Sequence, residues 1–381
     1  MEYFGKLFKA ITGQTENSKV KVDNVPSQPE LANHDCSVLD LAFAMDCTSS
    51  MGSYIDTARN SIRAIVEEIV ASEKSDVHLA MVEYRDHPPM DKSYVTRRHD
   101  FTSSLKKMKS ILDKCKAEGG GDCPEAVADA LHDLLKLSWR KNSTKICVLV
   151  SDAPPHGLDQ NGDHFPNGCP VGLDPMTIVR QLAEKGITLY CVGCEPAINP
   201  YKDFFTAIAY LTGGQYVPLR GAKALTQIII GGAQEEISLE RWMAEVDEEV
   251  QREIAAGNQI NDDEMTQRVH DKMKSKGIKG KRLQMNDSDL GAASETSRQI
   301  AGYTNMADVR SKFVDNSVDR SCRSEIRVNR LMGARYDFDE EDEMATPSTE
   351  PDRYNTVESE ISYEQASRML QKCKSRNKYL S

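Results

Sequence analysis

The feature that most narrows what this chain can fold into is an alternation. Short, almost uninterrupted apolar runs take turns with segments whose apolar residues recur every three or four positions. Residues 38–45 read Val-Leu-Asp-Leu-Ala-Phe-Ala-Met, and 146–151 read Ile-Cys-Val-Leu-Val-Ser. Runs of this length and composition suit strands buried on both faces. Between them, Ile55, Ala58, Ile62, Ile65 and Ile69 fall on one face of a helix over residues 54–72. Further strands are predicted at 77–84, 187–194 and 215–219, with a short edge strand within 92–101. Helices are predicted at 105–115, 124–137, from Asp174 to Lys185 and at 204–211, and residues 222–233 close the domain. Strands separated by helices give an α/β fold: a mostly parallel, Rossmann-like sheet covered by helices on both faces.

After Gln234 the pattern changes. Residues 237–256 predict one long amphipathic helix bearing Leu239, Trp242, Met243, Val246, Val250 and Ile254. Asn261 and Asp262 can cap a second, with Met265, Val269 and Met273. From 279 to 360 apolar residues thin out and charges alternate, and 337–343 are acidic everywhere but Phe338, so most of this stretch reads as disordered or weakly helical. A last amphipathic helix, 363–374, carries Ala366, Met369, Leu370 and Cys373. The chain therefore divides into an N-terminal segment and linker (1–36), an α/β domain (37–235), a helical extension (236–278) and a low-order charged tail ending in a short helix (279–381).

Charge and composition exclude several roles. A net charge of -11 argues against general nucleic-acid binding. No run reaches the apolar length of a membrane span, and residues 1–15 lack the pattern of a signal peptide, which predicts a cytoplasmic protein. Phe4, Leu7, Phe8 and Ile11 have helical spacing, but Lys6 and Lys9 are few charges for a lipid surface; membrane contact is at most peripheral, and docking on the protein body is the favoured reading. Cys191 and Cys194 have the spacing of a redox or zinc pair, yet they lie in a strand-like run without a second pair, and read as ordinary strand cysteines.

The first predicted strand ends in Asp46-Cys-Thr-Ser-Ser-Met-Gly52, placing the Asp46 carboxylate and the Thr48 and Ser50 hydroxyls on one tight loop. In an open parallel sheet, ligands gather beyond the carboxyl ends of the strands. The strand ending at Ser151 brings Asp152 to that edge, and the loop 119–125, Gly-Gly-Gly-Asp-Cys-Pro-Glu, lies between them in sequence. All these donors are oxygens, which suits Mg²⁺, or Mn²⁺ and Ca²⁺, better than Zn²⁺. The pattern resembles the metal-ion-dependent adhesion site (MIDAS) of von Willebrand factor A domains, Asp-x-Ser/Thr-x-Ser with a distant Thr and Asp. The resemblance places Asp46, Thr48, Ser50 and Asp152 at the metal. The middle Thr is missing; Asp122, taken here as a ligand, or Glu125 stands in its place. Tyr84-Arg-Asp-His87, the glycine loop and Ser151-Asp-Ala-Pro-Pro-His-Gly157 resemble the A domains of hemicentin and of alpha-kinases that carry one, over residues 37–232, and the tail resembles no kinase catalytic domain.

The resemblance implies a non-enzymatic module whose metal engages an acidic group of a partner protein. The rival is a metal-dependent enzyme or a regulatory relative of those kinases. Asp86 and His87 suggest acid–base chemistry, but no nucleophile is tied to them by spacing, and they read as a structural loop. The glycines at 119–121 lack the Lys-Ser/Thr of a phosphate-binding loop. His156, Asp159, Asp163, His164 and Cys169 fit no standard metal spacing and read as a polar surface loop that shapes partner choice.

Overall fold

The computed structural model describes residues 35–159, 162–256, 261–313 and 352–377; the predicted N-terminal amphipathic segment and the acidic run at 337–343 lie outside them. In chain order the first half runs β1 (Asp35–Asp46), α1 (Gly52–Glu73), β2 (Asp76–Tyr84), β3 (Thr96–Thr102), α2 (Leu105–Leu112), α3 (Val127–Leu135) and β4 (Ser143–Ser151). Then follow α4 (Pro175–Glu184), β5 (Ile187–Cys194), α5 (Lys202–Leu211), β6 (Tyr216–Leu219) and α6 (Leu225–Glu240). The strands form one sheet in the order β3-β2-β1-β4-β5-β6, parallel except for the edge strand β3. This is the α/β architecture expected from the alternation.

The period of two in the strands sorts side chains between the faces. Leu39, Leu41, Phe43 and Met45 of β1 join a core with Ile55, Ile62 and Ile69 of α1, Met108 of α2 and Ile228 and Ile229 of α6. Ala42 and Ala44 point the other way, with Cys147 and Leu149, into a core closed by α3, α4 and α5. Cys191 and Cys194 obey the same rule: they are free thiols in opposite cores, so they cannot chelate as a pair.

The extension departs from the sequence reading in two places. The long helix predicted over 237–256 is two helices, α6 and α7 (Met243–Ala255), broken at Arg241 and Trp242. Leu239 and Met243 are both buried in a third core across the break, so the apolar stripe reads through it. Asn261 caps α8 (Asp262–Ser275) as expected, its side chain accepting from the Asp263 and Glu264 backbones.

Residues 279–313 and 354–360, read as disordered or weakly helical, do contain two helices, but the rest of the reading is corrected, because three strands lie there as well. Here lie β7 (Lys279–Met285), β8 (Ser288–Asp289), α9 (Glu295–Gly302), α10 (Met306–Lys312) and β9 (Tyr354–Glu360). β7 pairs β9 antiparallel along its whole length, Lys279 against Glu360 and Met285 against Tyr354. Neither strand is apolar enough to announce itself, because the ribbon needs few anchors: Leu283 and Tyr354 enter the first core. The ribbon lies against α6 at Gly231, where a Cβ would run into Leu283 and Thr356. Ile300, Ala301, Met306 and Val309 of α9 and α10 pack into the second core. No helix among the described residues is long and apolar enough to cross a membrane.

The C-terminal helix α11 (Tyr363–Arg376) begins at a capping box between Ser362 and Gln365. It docks through buried charges as well as apolar groups. Arg368 donates to Glu235 Oε1 at 3.1 Å, the Tyr190 hydroxyl at 2.8 Å and the Gly213 carbonyl at 3.0 Å; Lys372 pairs with Glu236, and Arg376 with Glu240. Removing one member leaves opposite charges buried and unpaired. Arg368→Leu is therefore expected to cost about 3–5 kcal/mol in urea-monitored unfolding. Lys374→Ala, at the half-exposed Lys374–Asp262 pair, should cost less than about 1 kcal/mol.

Candidate metal centre

The carboxyl edge of the sheet is set by register. Asp46 at the end of β1 stands beside Tyr84 at the end of β2, and Met45 beside Val150 in β4. Beyond Asp46 the chain turns on its own side chains. The Thr48 amide and hydroxyl both donate to Asp46 Oδ1, at 2.9 and 2.7 Å, and Thr48 Oγ1 lies 3.4 Å from Ser50 Oγ. Asp46 and Thr48 are buried and Ser50 is exposed, so the three oxygens lead from the sheet edge outward.

Neighbouring segments lock this loop. The buried Arg85 guanidinium donates to the Cys47 carbonyl at 3.1 Å, the Lys116 carbonyl at 2.7 Å and Ser93 Oγ at 2.8 Å. The Glu118 amide donates to the same Cys47 carbonyl, while the Ser49 amide and hydroxyl donate to the Gly119 carbonyl at 3.3 and 2.9 Å. Cys47 Sγ lies 2.9 Å from Cys115 Sγ below the loop. Gly119 has φ +81°, and a Cβ there would overlap the Asp91 carboxylate, which accounts for one of the three consecutive glycines.

Asp152 follows β4 and is half-buried. Burial, then the charges of Asp46, Asp152 and Glu125, hold the Tyr84 hydroxyl well above its ordinary value, outweighing the hydrogen bond with Ser151. Burial and the charges of Asp152 and Asp46 do the same to the Cys194 thiol. Asp46 and Asp152 thus act on the same two groups from adjacent strand ends. Glu125, with its backbone bridged to Pro155, acts on Tyr84 as well.

Asp122 belongs to a second acidic group. Its carboxyl is pushed up to about 6, first by burial and then by Asp86 beside it, and it accepts from the His164 amide at 2.7 Å. At the centre of that group is His156, whose Nδ1 meets Asp163 Oδ1 at 2.8 Å and whose Nε2 meets Asp86 Oδ1 at 2.7 Å. Asp163 also accepts from the Gly157 and Phe165 amides at 2.6 and 2.7 Å. Burial alone would lower the imidazole, but its bonds to Asp163 and Asp86 prevail and raise it to about 9. The loop read from sequence as a polar surface feature therefore turns inward: His156, Asp159 and Asp163 are buried, with Asp159 accepting from the Tyr201 hydroxyl at 2.7 Å. Sequence reasoning missed this because Asp86 and His156 lie 70 positions apart, and only the sheet order makes their loops neighbours. The signal available was two motifs with a histidine, each following a strand end.

The chain contains a von Willebrand factor A domain: the family model of that description matches residues 40–162. Over 207 residues the chain is 30% identical to a putative ariadne-like RING finger protein of Acanthamoeba polyphaga mimivirus, covering 51% of this chain and 20% of that protein. Over 155 residues it is 27% identical to the alpha-protein kinase vwkA of Dictyostelium discoideum, covering 40% of this chain and 24% of the kinase. The chain thus spans a quarter or less of the curated relatives it matches. Similar solved structures include the pilus adhesin SpaC of Lactobacillus rhamnosus GG, with TM-score 0.41, 10% identity and coverage of 55% of this chain and 32% of that one. A von Willebrand factor type A protein of Catenulispora acidiphila matches with TM-score 0.36, 15% identity and coverage of 53% and 43%.

The His156 arrangement has a pH signature. Its folded value of about 9 lies above the ordinary 6.5. The stability it contributes is complete below about pH 6.5 and is lost as pH rises through about 9, because the folded state binds the extra proton. In chelator, the thermal midpoint should fall between those pH values in the wild type, and His156→Gln should flatten that fall; an unchanged slope in the variant would contradict the assignment.

Proposed function

We propose that this chain is an intracellular protein-binding module in which Mg²⁺, held by Asp46, Thr48, Ser50 and Asp152, engages an acidic group of a partner protein. The observation that carries the reading is the sheet edge itself: a carboxylate and two hydroxyls on one locked loop, with a second carboxylate at the next strand end. A von Willebrand factor A domain is typically an interaction module and often holds a divalent ion, which supports the same reading. Asp122 or Glu125 supplies the element that the family's pattern gives to Thr. Of the two, Glu125 shares the electrostatic neighbourhood of Asp46 and Asp152, whereas Asp122 is engaged with Asp86.

The chemistry follows from charge. Asp46 and Asp152 offset the charge of a hard divalent cation and the hydroxyls add donors without adding charge, so an open coordination position can still take a carboxylate oxygen, whereas a third carboxylate from Asp122 or Glu125 weakens that pull. Neither neighbouring thiol is activated as a nucleophile: burial, the hydrogen bond to Cys115 and nearby negative charge hold Cys47 well above its ordinary value, and Cys194 is likewise held up.

Asp152→Ala tests the proposal. Circular dichroism should report an intact fold, because Asp152 lies beyond the β4 ladder, while pull-down of the partner from cell extract should fall to the level seen with chelator. Full partner capture by the variant would contradict the proposal. Metal-dependent phosphate release or transfer that Asp152→Ala abolishes would replace it with the enzyme reading.

A further inference from the structure

We propose that the chain holds a second, chemically distinct metal centre, a zinc-class site formed by His87, Asp129 and Cys169. The three come from separate segments: His87 from the loop after β2, Asp129 from the first turn of α3, and Cys169 from the long loop between β4 and α4. Their donor atoms converge. His87 Nε2 is 2.9 Å from Asp129 Oδ2, Cys169 Sγ is 3.3 Å from that oxygen, and Cys169 Sγ is 3.7 Å from His87 Nε2. Ligands at tetrahedral zinc distances of about 2.0–2.3 Å stand about 3.3–3.8 Å from one another. The triangle therefore needs only a slight widening at its shortest side to accept the ion.

The donor set argues for the ion. One imidazole, one carboxylate and one thiolate is a borderline-soft combination that suits Zn²⁺ and is wrong for Mg²⁺. Neither of two other convergent groups fits as well. In the Asp122, His156 and Asp163 group both imidazole nitrogens are already committed to carboxylates. In the Cys47, Glu83 and Cys115 group the sulfurs are 2.9 Å apart, closer than two zinc thiolates stand, and Glu83 is bonded to His99 and Tyr94.

The surroundings fit an open site. His87 is buried, Asp129 and Cys169 are half-buried, and the Phe165 ring packs edge-on against His87 at 5.8 Å. Three protein ligands leave a fourth position, as zinc sites with an exchangeable ligand do. Without metal the thiol is pushed up to about 11 by burial and by Asp129, so Cys169 is not an activated nucleophile. Binding the ion would release that proton and tie together the three segments beside the second acidic group. The proposal is independent of the magnesium reading, since it shares no ligand with it.

Cobalt(II) titration of the whole chain in excess Mg²⁺ and a thiol-free reductant tests it. One equivalent should bind tetrahedrally with a thiolate-to-cobalt charge-transfer band, and Zn²⁺ should displace it. Cys169→Ser should abolish the band, and the near-isosteric Asp129→Asn should weaken Zn²⁺ binding by about 10-fold or more in a competition with a chromophoric chelator. A band that persists in Cys169→Ser, Zn²⁺ affinity unchanged in Asp129→Asn, or no bound equivalent in the wild type would overturn the proposal.

Discussion

The site depends on one constraint, the parallel pairing of β1 between β2 and β4. Because the three strands run the same way, their carboxyl ends finish at one edge, and Asp46, Tyr84 and Ser151 close neighbouring ladders. A shift of one residue in β1 would exchange Leu41 and Phe43 for Ala42 and Ala44 between the two cores. Hydrophobic sorting therefore fixes the register, and the register fixes where the Asp46, Thr48 and Ser50 oxygens emerge. The packing of apolar side chains well inside the sheet thus determines the position of polar atoms at its rim.

Around that edge, each loop is held by groups from the others. Arg85, from the end of β2, donates both to the loop after β1 and to the segment preceding the glycines. The adjacent Asp86 and His87 go in another direction, to His156 and to Asp129 and Cys169. Three consecutive residues thus serve three clusters. The candidate donors of the loop after β1 are carboxylate and hydroxyl oxygens; the other two clusters bring imidazoles and carboxylates together, with a thiol in one of them. The two environments differ in donor chemistry, the first favouring a hard ion and the second a borderline one.

Much of this was legible in the sequence. The apolar runs at 38–45 and 146–151, and the Asp46-x-Thr-x-Ser pattern, depend only on residues close together in the chain. The less legible parts are those whose stabilising partners are remote. β7 carries few apolar residues and gains its ladder from β9 some seventy positions later. The break between α6 and α7 preserves local three-and-four spacing, so a periodicity reading passes over it. Glu235, Glu236 and Glu240 look like the solvated face of a helix, yet they are buried because Arg368, Lys372 and Arg376 arrive from the C-terminal helix. Long-range charge pairing leaves no periodic trace, and it here turns a polar face into an interior one.

The loop after β1 is proposed to hold a divalent metal ion. Isothermal titration of Mg²⁺ into the purified chain measures this most directly. A single site is expected for the wild type, lost in Asp46→Ala with the fold retained. Equal magnesium binding by wild type and variant would contradict it.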